Sequence, residues 1–187
     1  MSGAEESNMQ QHAERQSAAP EMAAGGQSQQ YLTFVLSGEV FAIGILSIKE
    51  IIEFANPTSV PMMPDYLRGV INLRGLVVPV IDLAVRFGKP PSSVTKRTCI
   101  VIVEIDLDGE RYDIGAMVDA VNAVVDIPAS EIEPPPTFGA RIRTDFIAGM
   151  GKIDGRFVIV LDSRHVLAPA ELESLAGALE AAPVHNA

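Results

Sequence analysis

Reactive side chains are few in this sequence, and their placement limits what they can do. Cys99 is the single cysteine, and His165 is the only histidine away from the ends, where His12 and His185 lie. A thiol nucleophile needs a base such as imidazole to take its proton, so Cys99 with His165 is the one pair of that kind on offer. Cys99 stands in TCIVIV, however, an apolar run of strand type in which cysteine serves as a small packing group. Asp106-x-Asp108-Gly109-Glu110 carries oxygens like those that open a calcium loop, yet later ligands and flanking helical patterns are missing. Asp-Gly between apolar runs reads instead as a tight hairpin. One cysteine and one histidine make no zinc cluster, and neither a Walker-type phosphate loop nor a GxSxG elbow occurs. The sequence predicts no enzyme, no metal and no cofactor.

Binding chemistry is better represented. In YLRGVINLRGLVVPVIDL, residues 66–83, Arg74-Gly75 separates two strongly apolar runs and Pro79 interrupts the second. Gly75 suits a turn, with Asn72 or Arg74 near the bend. Arg74 is then either a solvated turn charge or a fork that grips a partner's carboxylate or amide. Pro79 cannot donate to a ladder, so its strand is expected at an edge or a bulge. Val60-Pro-Met-Met-Pro64 puts three large apolar groups into a connection. Met62 and Met63 either seal the end of a core or offer an adaptable patch to another protein.

The elements that must hold these residues are short and β-branched. Of 187 residues, 48% are hydrophobic and 20% charged, which suits one globular domain or two small ones sharing a core. The net charge of −10 is concentrated at the ends: residues 1–30 carry −3 and residues 170–187 another −3, leaving −4 on the body. A nucleic-acid-binding small barrel is the alternative class, and a body without a basic face counts against it. No run reaches the roughly 18 apolar residues of a membrane helix, and the first 30 residues lack the pattern of a signal peptide. Direct membrane insertion is not expected; a cytoplasmic protein is. Residues 1–29 are too poor in large apolar groups to order and are expected to form a disordered tail. From Tyr31, YLTFVL and VFAIGI flank Ser37-Gly38, and CIVIVEIDL and ERYDIGAMV flank Asp108-Gly109, as strands around tight turns. Leu172, Leu175, Ala176 and Leu179 make one helical stripe near the C-terminus, and Asp162 is placed to cap a short turn over SRHVL.

The sequence also repeats itself. Leu36–Gly44 matches Leu107–Gly115, and at an offset of 80 residues 65–82 lie over residues 145–162. Identical pairs include Asp65/Asp145, Gly69/Gly149, Gly75/Gly155 and Asp82/Asp162. Arg74 and Pro79 have no counterpart, since Asp154 and Ile159 stand in their places. Two copies of about five short strands predict two small barrels, each too small to stand alone and packed on a shared apolar seam. The expected boundaries are 30–95 for barrel one, 96–162 for barrel two and 163–181 for a C-terminal helix. Together these make a domain over 30–180, followed by a frayed end at 182–187.

The run from Tyr66 to Leu83, with FAIGILSIKEIIEF before it and FVIVLD after it, resembles the signature of the CheW family of chemotaxis coupling proteins. The resemblance implies an all-β fold of two SH3-like five-stranded barrels on a shared core with a short C-terminal helix. It implies a non-enzymatic adaptor between the cytoplasmic hairpin tip of a chemoreceptor and the regulatory domain of the histidine kinase CheA. Recruitment to membrane-associated receptor arrays is implied as well. Matched residue by residue, it places receptor contacts at Ile48, Glu50, Gly69 and Arg74. Kinase contacts are expected near Val60, Met62 and Met63 and around Val125 and Ile127.

Overall fold

A computed structural model describes residues 27–137 and 142–167 of the chain. Eleven strands form in chain order: β1 (Ser28–Leu36), β2 (Glu39–Gly44), β3 (Ile48–Glu53), β4 (Leu67–Leu73), β5 (Leu76–Asp82), β6 (Cys99–Leu107), β7 (Glu110–Val118), β8 (Ala120–Pro128), β9 (Ile132–Glu133), β10 (Ile147–Ile153) and β11 (Arg156–Leu161). Two single-turn helices, α1 (Leu83–Arg86) and α2 (Ser163–Val166), follow β5 and β11. The first strand begins at Ser28, which pairs with Pro128. Order thus starts before Tyr31, because ladder hydrogen bonds can hold polar residues that have no core to enter. Residues 1–26 and the apolar stripe from Leu172 to Leu179 lie outside the described residues.

All four tight hairpins use left-handed backbone. Ser37-Gly38, Arg74-Gly75, Asp108-Gly109 and Asp154-Gly155 each have positive φ at both residues, the geometry whose twist matches that of the flanking strands. Asn72 stabilises the second of these, its Oδ1 accepting the Gly75 N–H at 2.9 Å.

The strands sort into a six-stranded sheet, β8-β1-β2-β11-β10-β9, and a five-stranded sheet, β3-β6-β7-β5-β4. Each curls into an open barrel, and the fold is all-β. The boundary expected near residue 95 does not coincide with either barrel. The hairpin β1–β2 enters the sheet built mostly from the second repeat, and β6–β7 enters the sheet built from the first. Each barrel therefore borrows its leading hairpin from the other half, through the parallel ladders β2–β11 and β5–β7. Duplication is visible in a sequence, but the choice of partner strand is made by tertiary packing.

Three apolar clusters follow from this exchange. The largest lies between the barrels and contains Phe34, Phe41, Phe87, Val101, Ile114, Phe146 and Leu161. Ile71, Val80, Ile100 and Met117 fill the five-stranded barrel, while Tyr31, Ala42, Ile127 and Val160 fill the six-stranded one. In β6, Val101 and Val103 face the shared seam while Ile100 and Ile102 face the barrel. A strand buried on both sides reads as a continuous apolar run, which explains CIVIV. Cys99 packs against the seam and its Sγ donates to the Arg97 carbonyl.

The repeated residues have repeated tasks. Asp82 accepts the Ala84 N–H and so caps α1; Asp162 accepts from Arg164 and His165 and caps α2. Asp82 is buried, and it also holds the next loop through the Ser92 N–H and hydroxyl. Tyr66 and its duplicate Phe146 meet across the seam: the Arg86 guanidinium lies 4.8 Å from both ring centres and donates to the Val166 carbonyl. Pro79 is not at an edge, because β5 runs between β4 and β7. It faces Val70, whose N–H and C=O both bond to Thr58 on the far side, each at 2.8 Å. The ladder thus asks for no donor from Pro79 on that side, and pairing with β7 starts one residue later, at Val80.

Candidate functional site

Arg74 sits at the tip of the β4–β5 hairpin with φ +52, a conformation that costs an L-residue about 1 kcal/mol or more. Its guanidinium reaches across to β3 and grips Glu50 with two parallel bonds, Nη1 to Oε1 at 2.8 Å and Nη2 to Oε2 at 2.9 Å. β3 and β4 are the two edges of the five-stranded sheet, so this pair clasps the open side of the barrel. The side chain of Arg74 is still 78% exposed. Leu76 and Val77, on the same hairpin, are exposed as well.

The other two residues matched to a receptor contact are placed differently. Ile48 is half-buried and packs against the shared seam. Gly69 has φ +145, and a Cβ there would lie 2.3 Å from the Thr58 carbonyl oxygen. The space left by its missing side chain is filled by the chain's own backbone at Thr58. The duplicate Gly149 is crowded in the same way, by Ile132 and the Glu133 carbonyl. The structure thus brings Glu50 and Arg74 together and turns Ile48 and Gly69 to the fold.

The residues matched to kinase contacts also divide. Met62 is fully exposed on a left-handed turn, while Met63 packs against the seam and Val60 is half-buried. Val125 is half-buried at the edge of the six-stranded barrel core. Ile127 is 0% exposed inside that core, so it offers no surface to a partner as the barrel stands. Val125 and Ile127 share one face of β8, and of the two only Ile127 lies deep enough along the strand to be covered.

The ends of the two barrels contrast strongly. Opposed residues on paired strands share a face, so Glu104 and Asp113 lie on the face of β6–β7 that lines the five-stranded barrel. Lys49 bonds to both Asp113 oxygens at 2.8 and 3.0 Å and lies 3.5 Å from Glu104, which also meets Arg111 at 3.4 Å. Hydrogen bonding to Asp113 is the main reason that the Lys49 ammonium is held above the usual lysine range. With Glu50 and Arg74 these charges form a polar lid. At the matching positions of the six-stranded barrel stand Thr33 for Glu104, Val40 for Arg111 and Val125 for Glu50, and only Asp154 for Arg74 is charged. These four line an open groove of about 800 Å³ together with Ile153, Phe157 and Val158 and with two further charged residues, Glu39 and Arg156. Phe157 is 57% exposed on its rim. Sequence reasoning missed this contrast although the aligned repeats, Glu-Val-Phe against Glu-Arg-Tyr, already contained part of it.

His165 Nδ1 lies 3.0 Å from Asp162 Oδ2. No hydrogen bond among the described residues joins it to Cys99, and no group of three or more potential metal ligands occurs among them. No helix among the described residues is long and apolar enough to cross a membrane.

Comparison with known proteins is consistent across sequence and structure. A family model described as the CheW-like domain matches residues 30–171. The chain is 36% identical to the chemotaxis protein CheW of Bacillus subtilis over 137 residues, covering 73% of this chain and 85% of that protein. It is 33% identical to the chemotaxis protein CheW of Klebsiella aerogenes over 144 residues, covering 77% and 84%. Among solved structures, the scaffolding protein TtCheW of Thermoanaerobacter tengcongensis superposes with a TM-score of 0.68 at 34% identity, covering 75% of this chain and 92% of that one.

Proposed function

The chain belongs to the CheW-like family of non-enzymatic chemotaxis scaffolding proteins, and from that premise we propose that it couples a chemoreceptor's cytoplasmic tip to a CheA-type histidine kinase. The observation that carries the receptor half of this reading is the Arg74–Glu50 clasp. An arginine in left-handed backbone breaks a local rule that the duplicate hairpin obeys with Asp154, and such breaches gather at functional positions. Glu50 fixes the plane of the guanidinium, and the remaining N–H donors face outward for a carboxylate or carbonyl of the receptor. Leu76 and Val77 lie on the same hairpin to meet the apolar stripe of a receptor helix.

The kinase half rests on the groove around Val125, with Met62 as a second exposed apolar contact. A scaffold that holds both partners links their equilibria, so a receptor state that changes docking changes the kinase. This role places the chain in the cytoplasm, at membrane-associated receptor arrays. Arg74→Ala tests it. Affinity for a soluble receptor-tip fragment, measured by calorimetry, is expected to fall about tenfold, near 1.4 kcal/mol. Kinase affinity and the unfolding temperature should hold. Unchanged receptor affinity removes Arg74 from the site.

A further inference from the structure

Glu50 reaches Arg74 because β3 carries one residue more than a plain ladder needs. Ile48 pairs with Val103 and Glu50 with Ile102, which leaves Lys49 as the extra residue of a bulge. Val103 faces the shared seam and Ile102 faces the barrel core. A strand that simply alternated from Ile48 would turn Glu50 back to the seam. The bulge turns it to the barrel side, where Arg74 meets it. Resting on the receptor role of Arg74 given above, we infer that Asp113 is a positioning residue for the receptor contact. It anchors Lys49 at the bulge, the anchored bulge aims Glu50, and Glu50 holds the Arg74 guanidinium ready for the partner.

The anchor joins a rigid part of the sheet to a loose one. Asp113 lies on β7, paired with β6 over nine residues, and both strands have neighbours on each side. By contrast, β3 is an edge strand with one neighbour, and a bulge interrupts the ladder that holds it. The Lys49 ammonium spans the gap: it donates to the two Asp113 oxygens at 2.8 and 3.0 Å and lies 3.5 Å from Glu104, directly opposite Asp113 on β6. The Asp113 side chain is only 14% exposed and has both oxygens engaged by Lys49, so it does not itself meet a receptor helix. The six-stranded barrel shows what the anchor adds. Its edge strand β8 also has an extra residue, Asn122 between Val121 and Ala123, so the bulge belongs to the barrel plan. At the position of Asp113, however, stands Ala42, which has no charge to anchor anything. The anchor is thus particular to the barrel in which the bulge has an acid to aim. Losing it loosens the aim without undoing the fold.

A double-mutant cycle tests the assignment, with affinity for a soluble receptor-tip fragment measured by calorimetry on the parent, Asp113→Ala, Arg74→Ala and the double variant. Asp113→Ala is expected to weaken receptor binding about threefold, against the roughly tenfold loss expected for Arg74→Ala. In the Arg74→Ala background the same change should cost nothing further, because no guanidinium is left to aim. A merely structural role would cost the same in both backgrounds. Unchanged affinity in Asp113→Ala, or an equal loss in both backgrounds, overturns the positioning role. Arg74→Ala that binds as the parent does withdraws the receptor reading itself, and the positioning role with it. If Asp113→Ala does not fold, Lys49→Met cuts the same anchor from a half-exposed side chain and takes its place in the cycle, with the same results expected.

Discussion

The hairpin β4–β5 and its duplicate β10–β11 share a backbone and differ in what they can touch. Both turn on a left-handed pair, both follow a glycine pressed against a neighbouring segment, and both lead into an aspartate that caps a helical turn. What separates them is confined to side chains. The first tip carries Arg74, clasped to Glu50; the second carries Asp154 beside an open groove lined by Val40, Val125, Ile153 and Val158 as well as Glu39 and Arg156. Architecture is therefore the part that duplication preserved, and recognition is the part in which the copies diverged.

Substitutions at matched positions can break or sharpen that contrast. The largest effect is expected from Gly69→Ala. A Cβ there meets backbone at 2.3 Å and must also adopt φ +145, so a loss of more than about 3 kcal/mol is expected in urea unfolding. Gly149→Ala meets Ile132 Cγ2 at 2.5 Å, an atom that can rotate aside, and should lose about half as much. Equal losses would mean that the two glycines are held alike. Ile127→Ala comes next, at about 3 kcal/mol for an isoleucine buried without exposure. Its match Ile52 is only half-buried and should cost nearer 1.5 kcal/mol on the same scale. A kinase-binding defect in Ile127→Ala would then be traced to lost folding, which the melting curve reads directly.

Arg74→Asn separates stability from recognition. Asparagine tolerates the left-handed tip, offsetting about 1 kcal/mol of backbone cost against an exposed ion pair worth about as much. Thermal stability should stay within a degree or two of the parent while receptor binding drops. Asp154→Asn at the other tip should change neither. The smallest effect is alkaline. Because the folded protein holds the Lys49 ammonium above its ordinary range, its contribution is complete below the unfolded pKa and disappears as pH rises through the folded one. Lys49→Met should flatten that limb of the stability profile. Val124, on the strand of the other barrel that corresponds to β3, has no proton to lose, so Val124→Met should leave it unchanged.

Local features were the most legible in the sequence. Asp-Gly and Ser-Gly named their hairpins, Asp162 named its cap, and the aligned repeats foretold two similar barrels with a shared seam. Each of these depends on residues near in the chain or on an apolar period. The exchange of hairpins was not legible, because Phe41 pairing with Ile159 and Val80 pairing with Gly115 leave no local trace. Pro79 misled for a related reason: the strand that relieves it is a single bridge from Thr58, in a segment with no strand pattern. At the candidate site, Arg74 and Glu50 were both named, but their bidentate contact depends on barrel curvature. Gly69 was expected to admit a receptor, whereas its space belongs to Thr58.

The borrowed hairpins also set an order of events during synthesis. When β1–β2 leaves the ribosome, its lasting neighbours β8 and β11 are still about 80 to 120 residues from being made. The strands β3, β4 and β5 likewise wait for β6 and β7 before either edge of their sheet is satisfied. Neither barrel can close on the nascent chain until most of the protein has emerged, so folding begins late and depends on long-range pairing, which is slow. The first half meanwhile leaves its apolar strands uncovered, a state that invites chaperones or a neighbouring nascent copy.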